Sequence, residues 1–439
     1  MSFYFLGTGP FSKSLILRAL IVQSYFPKLQ ITKDSLCEDV LSMKAGLRNL
    51  EKHTTIENLQ GGAVLRFLAL RASRKTGSFI LKGSNRLFQR PTQELKMVLN
   101  QLSCDTQFTQ NSLHIKSQGW FLSGDALTMS AHRSSQFASA VFLNSWNLPH
   151  DLFVNIEGPI VSSSYFQMTL AFLRFLGMQI KGSNGEYHIP SKQKIHQLTY
   201  HPEPDMSCLF SLAALTGIEG ETVFTNWPEM SFQPDFIFPS ILSNMGFQIT
   251  PNQDRSGEEF QNLSLFLKKT EPIEHPDLDT AGFVKTRSGV KKNPYKATQN
   301  ILKITRGKKL KPINCKITNC PDLFPVLSAL CAITNGISHL YGAPHLRYKE
   351  SHRIEQMVQL LSQVGRKCKV KEDGLTIIGQ PVLPEEKTQA LISFNPKEDH
   401  RMAMAAALLK KAGFPLRILN PEVVNKSFPD FWSAANIVP

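Results

Sequence analysis

Six times along its 439 residues the chain opens a small, apolar, helix-like segment with a short polar signature, a repetition that restricts the fold before any single element is assigned. The signatures are Ser12-Lys13-Ser14, Gly61-Gly62, Ser134-Ser135-Gln136, Asp205-Met206-Ser207, Pro321-Asp322 and Asp399-His400-Arg401. A second helix opening follows each after 25 to 29 residues, at Glu38-Asp39, Arg90-Pro91, Ser162-Ser163, Pro234-Asp235, Lys349-Glu350 and Phe428-Pro429. Apolar stripes at helical spacing mark several second helices, such as Leu95, Val98, Leu99 and Leu102. Gly177, Gly246 and Gly365 stand where helix C-caps are expected, and alternating segments such as the one around Asp373-Gly374 read as hairpins. The unit is therefore helix, strand, helix, strand pair.

Spacing divides the six units into two groups of three, with a boundary near His201-Pro202-Glu203-Pro204. The expected domains are residues 10–203, and residues 1–9 with 204–439. Only Glu51 to Gln60 is left for the first unit's strand pair, so that unit reads as truncated. Units four and five start 116 residues apart, against 72 for their predecessors, which points to an insertion at about 280–316.

Charge matters because of where it lies. The formal net charge is +14, yet Lys285 to Lys316 alone holds eleven Lys/Arg and no Asp or Glu. That segment is expected to be a mobile solvated arm, a docking site for acidic partners or nucleic acid, or a device that steers anionic ligands. The 42% hydrophobic content excludes disordered and fibrous classes, and no apolar run reaches the ~18 residues a membrane span needs. Met1 to Ser24 lacks the pattern of a signal peptide, and seven scattered Cys read as reduced thiols, so a cytoplasmic protein is expected. Cys315 and Cys320 have no second cluster at ligand spacing, so neither metal nor cofactor is expected.

Helix N-termini present unpaired N–H groups and partial positive charge. Taken singly, each Ser or Gly here could be an ordinary N-cap, but six starts rich in Lys, Arg, Ser and Gly suggest a cleft for anions.

Ser12-Lys13-Ser14 with Arg18, Gly62-Ala63-Val64-Leu65-Arg66, Arg90-Pro91, Ser134-Ser135-Gln136, Lys349-Glu350-Ser351-His352-Arg353, Asp399-His400-Arg401-Met402-Ala403-Met404 and Lys426-Ser427-Phe428-Pro429-Asp430 occur in one order. In that order, from about Gly9 to Phe431, the chain resembles the 5-enolpyruvylshikimate-3-phosphate synthase family. The resemblance implies a two-domain inside-out α/β barrel of six βαβαββ-like repeats, three per domain. It further implies a monomer that transfers the enolpyruvyl group of phosphoenolpyruvate to the 5-hydroxyl of shikimate 3-phosphate, in aromatic amino-acid biosynthesis.

Two polyanionic substrates need fixed cations, and the planar fork of Arg suits carboxylate and phosphate. By resemblance, phosphoenolpyruvate falls to Lys13, Gly62, Arg90, Gln136, Arg353, Arg401 and Lys426. Shikimate 3-phosphate falls to Ser14, Arg18, Ser134, Ser135, Gln136, Ser162, Tyr165, Asp322 and Lys349. Asp322 is the candidate that holds and deprotonates the hydroxyl, while Glu350, Lys426 and Lys13 remain open as the donor to the enol methylene. Closure of the two domains on the substrates is expected, as is glyphosate sensitivity through Gly62.

Leu17, Gln60, His345 and His352 replace residues usual in the family. Two rivals are a sister enzyme acting on a UDP-amino sugar, and a non-catalytic homologue whose basic arm binds nucleic acid. The first lacks its loop cysteine here, and the retained Lys/Arg/Asp/Glu set speaks against the second.

Overall fold

The computed structural model describes residues 3–52, 54–251, 284–285, 291–292, 300–388 and 390–439. Its described part separates into two compact units, one of residues 11–203 with 284–285 and 291–292, and one of residues 3–10, 204–251 and 300–439.

In the unit of residues 11–203, two repeats are complete. Strands Ile56–Leu59, Thr76–Gly83, Ser112–Gln118 and Asp105–Phe108 form one four-stranded sheet in that order, and Leu127–Ser130, Leu152–Glu157, Glu186–Ile189 and Lys181–Ser183 form the next. Each sheet joins one parallel pair to an antiparallel hairpin. The third repeat has only Gln30–Ile31 paired with Thr199–Tyr200, and its helices Lys13–Gln23 and Glu38–Glu51 run on with no hairpin.

The other unit repeats the plan. Phe3–Gly7, Gly220–Trp227, Asn300–Thr305 and Gln248–Pro251 make one sheet, and Asn314–Lys316, Gly336–Tyr341, Gly374–Gly379 and Lys367–Lys371 another. Ile392–Phe394 pairs with Leu416–Ile418, and this last repeat also lacks a hairpin, a truncation the spacing did not reveal.

The helices lie inside because several are apolar on every side. Every residue of Met206–Leu215 and of Phe324–Ala332 is buried, as are Val64–Ser73 of helix Gly62–Ser73 and all of Gln136–Leu143 beyond its first residue. The sheets bury alternate residues against them and leave the other row outside, as in Leu152–Glu157. Gly177, Gly246 and Gly365 do end helices, with φ of 108°, 93° and 71° that a Cβ would strain.

Three expectations are corrected. Residues 300–316 are not an arm: Asn300–Thr305 is an inner strand with Leu302 and Ile304 buried, because Lys303 alternates outward and only the summed charge looks solvated. The rest of the basic segment lies outside the described residues apart from the short pair Val284–Lys285 and Lys291–Lys292. Asp322 does not open a helix, since the helix starts at Phe324 and Leu323 stands at its N-cap. Arg90 sits between the helices Asn85–Gln89 and Gln93–Gln101 rather than on one.

Candidate active site

In the unit of residues 11–203 the sequence-identified cations gather around the start of helix Gly62–Ser73. Lys13 pairs with Asp39 at 2.9 Å, and both are largely buried. Asp39 stands against Gly61, where an added Cβ would lie 2.5 Å from its Oδ1. A Cβ on Gly62 would meet Arg66 Nη1 at 2.6 Å and Arg90 Nη1 at 2.8 Å, so the two glycines let one acid and two guanidiniums approach the backbone. Arg66 donates to Gln136 Oε1 and to the Pro91 carbonyl, and lies 4.6 Å over the Phe137 ring. Two buried arginines converge on one point at a helix start, an arrangement whose charge and geometry suit an anion.

The hydroxyl-bearing residues surround the same inner helices. Ser134 Oγ accepts from Gln136 N at 3.3 Å, Ser135 is the N-cap of helix Gln136–Leu143, and Ser162 caps helix Ser163–Phe175. Ser162 has φ +52°, uncommon for a residue with a side chain, and its hydroxyl makes no capping bond. Arg18 donates to Thr169 Oγ1 at 2.8 Å, the Ser14 carbonyl at 2.7 Å and the Tyr165 carbonyl at 3.4 Å. Burial lowers its pKa to about 10. These bonds tie Ser14, Arg18 and Tyr165 into one network.

The other unit holds an ion cluster centred on Arg353, which is 1% exposed. Arg353 Nη1 donates to Asp322 Oδ1 at 2.8 Å, Nη2 to Glu350 at 3.0 Å, and Nε to Asp399 Oδ2 at 2.9 Å. Arg401 Nη2 donates to Asp322 Oδ2 at 2.9 Å, and Lys349 Nζ stands 3.8 Å from Oδ1. Burial alone would raise the Asp322 pKa, but Arg401, Lys349 and Arg353 outweigh it and hold the carboxyl well below its usual range. The carboxylates Asp399, Asp322 and Glu350 in turn overcome burial to raise the proton affinity of Arg353. Lys426 is buried at the end of the turn Pro421–Lys426.

Asp399 is the partner that sequence reasoning missed. Fully buried, it caps helix His400–Ala412 by accepting from Arg401 N at 3.1 Å, and it also accepts from Ser351 Oγ at 2.9 Å. Asp39 and Arg66 were missed likewise, although all three lie inside or beside the quoted motifs. Their roles come from partners far away in sequence.

The four departures have local explanations. Leu17 is core, and Gln60 is exposed beside Gly61. His352 serves as N-cap of helix Arg353–Gln363, its Nδ1 accepting from Glu355 N at 3.2 Å, so a ring nitrogen does the work of a carboxylate. His345 is buried, and burial together with Lys349 and Arg353, against Asp322, pushes its pKa down to about 3. It is a neutral imidazole among charges. Among the described residues there is no group of His, Cys, Asp and Glu able to hold a metal, all seven Cys are free thiols, and no helix is long and apolar enough to cross a membrane.

This architecture is that of the enolpyruvyl transferases: solved structures of EPSP synthase from Acinetobacter baumannii (TM-score 0.66, 19% identity, 99% of this chain and 95% of that one) and of the enolpyruvyl transferase NikO from Streptomyces tendae (TM-score 0.61, 13% identity, 98% and 93%) share it. Residues 24–284 and 288–434 match the family EPSP synthase (3-phosphoshikimate 1-carboxyvinyltransferase), and the chain belongs to that family. Similar curated proteins include the 3-phosphoshikimate 1-carboxyvinyltransferases of Syntrophobacter fumaroxidans (28% identity, 84% of this chain and 77% of that protein) and Bacteroides fragilis strain YCH46 (26%, 97% and 92%).

Proposed function

We propose that this chain transfers the enolpyruvyl group of phosphoenolpyruvate to the 5-hydroxyl of shikimate 3-phosphate, releasing phosphate through a tetrahedral intermediate. Family membership supports the reaction. The observation that carries the residue assignment is Asp322, a carboxylate bonded by two arginines and flanked by a lysine.

In this reading Arg90, Arg353 and Arg401, with Lys13, Lys426, Gln136 and the Gly62 backbone, bind the donor's phosphate and carboxylate. Ser14, Arg18, Ser134, Ser135, Gln136, Ser162, Tyr165 and Lys349 hold the acceptor. Asp322 accepts the 5-hydroxyl's hydrogen bond. With three cations upon it this carboxylate is a weak base, but anions that engage those cations restore its affinity for a proton. Base strength thus rises when both substrates are bound. Protonation of the enol methylene falls to Glu350, Lys426 or Lys13. Glu350 accepts a bond from Arg353, whereas Lys13 is paired with Asp39.

Phosphate release with both substrates, measured beside phosphoenolpyruvate plus a UDP-amino sugar, tests the reaction. Turnover dependent on shikimate 3-phosphate is expected. Turnover with the nucleotide sugar alone, or none at all, rejects it.

A further inference from the structure

The outward faces of the four-stranded sheets differ in one respect. On three of them each cation shares the face with an acid: Lys82 pairs with Glu57 at 3.1 Å, Lys116 faces Asp105 across the ladder, Lys303 pairs with Glu221 at 2.5 Å, and Lys181 lies on its sheet's outer face with Glu157 and Glu186. The sheet of Asn314–Lys316, Gly336–Tyr341, Gly374–Gly379 and Lys367–Lys371 breaks this pattern. Lys316, Lys367, Lys369 and Lys371 all share its outer row, and its strands contain no Asp or Glu. The nearest acids in sequence, Glu372 and Asp373, lie in the hairpin turn, where Asp373 Oδ2 accepts from Gly342 N.

Lys367–Lys371 is also an edge, pairing among the described residues only with Gly374–Gly379. Its inward row is partly open as well: Cys368 packs against the core, but Val370 does not. Val370 lies opposite the buried Leu375, yet is 56% exposed. Edge lysines discourage two like copies from pairing, but they do not repel an acidic strand. The edge strand Asp105–Phe108 contains no lysine and Lys181–Ser183 only one, so protection alone does not require three.

We propose that Lys367–Lys371 is a docking strand for an extended acidic segment of a partner protein, which adds to the sheet as a fifth strand with acidic and apolar side chains alternating. Acids on one face of that segment meet Lys367, Lys369 and Lys371 across the ladder, and apolar side chains on its other face cover Val370. Alternation is required because strand neighbours point to opposite faces. A block of acids satisfies the charge and leaves Val370 exposed.

The test uses the full-length protein and two fluorescent seven-residue probes of identical composition, one alternating Glu with Val and one with its Glu residues in a block. A labelled oligothymidylate of similar charge is the third probe. Tight binding of the alternating peptide is expected, with slowed amide exchange at residues 367–371. Lys367→Glu/Lys369→Glu/Lys371→Glu should weaken it by about tenfold or more, with enolpyruvyl transfer unchanged. Should the triple variant fail to fold, Lys369→Glu alone should still weaken binding severalfold. Equal binding of the block peptide, absence of exchange protection, or preference for the oligonucleotide overturns the proposal.

Discussion

Gly62→Ala adds one methyl group at the point where two cations converge. The new Cβ falls 2.6 Å from Arg66 Nη1, 2.8 Å from Arg90 Nη1 and 2.9 Å from Arg90 Cζ, where ordinary contact begins at 3.4 Å. The guanidiniums must therefore retreat by about 0.6 to 0.8 Å. Arg66, the closer of the two, must draw back within its contacts to Gln136, the Pro91 carbonyl and the Phe137 ring, and Arg90 must shift beside it. Misplacing a binding group by 1 Å can cost about 100-fold, so this smaller shift should raise the KM for phosphoenolpyruvate roughly 10- to 50-fold. Stability should stay within about 1 kcal/mol of the parent, because Gly62 opens its helix with φ in the ordinary range and alanine restricts the unfolded chain. Steady-state phosphate release against phosphoenolpyruvate at saturating shikimate 3-phosphate reads the first effect, and urea unfolding reads the second. Competitive inhibition by glyphosate should weaken in parallel. A KM within twofold of the parent, with folding intact, refutes the assignment of this corner to the donor.

Asp322→Asn should lower kcat by at least about 100-fold without raising the KM for phosphoenolpyruvate, since it removes the proposed proton acceptor and leaves all three cations; a higher KM with normal kcat would contradict that role. Because its folded pKa is depressed, the stability Asp322 contributes is present above the unfolded value near 3.9 and lost as pH falls below it. Asp399→Asn keeps an N-cap but uncouples the buried Arg353, and should cost about 3 kcal/mol in urea unfolding. Asp399→Ala should cost about 1 kcal/mol more through the lost cap, and a loss below 1 kcal/mol for the Asn variant would show that Asp322 and Glu350 suffice to hold Arg353. His345 titrates at about 3 when folded and near 6.5 when unfolded, so the unfolded chain takes up the proton first. Stability is then full above pH ~6.5 and declines towards pH 3, and His345→Asn should flatten that limb of the denaturation profile; an unchanged limb would mean that other groups set it.

Repetition and the positions of many helix starts were legible in the sequence because each depends on neighbours in the chain. Helical stripes, a Gly at a C-cap and a polar signature at a helix start are local patterns, and they located Lys13, Gly62, Gln136 and Arg401 correctly at helix openings. The strand Asn300–Thr305 was misread because net charge was summed over a window, which concealed the alternation of Leu302 and Ile304 with Lys303. Tertiary structure alone decided which charges meet. Asp399 receives Arg353 from 46 residues away, and Asp322 receives Arg401 from 79. It also decided that His345 is buried and neutral while His352 caps a helix, two imidazoles that sequence could not tell apart. A side chain's charge state and partner follow from burial and from the groups brought close by folding, and neither quantity exists until the chain has packed.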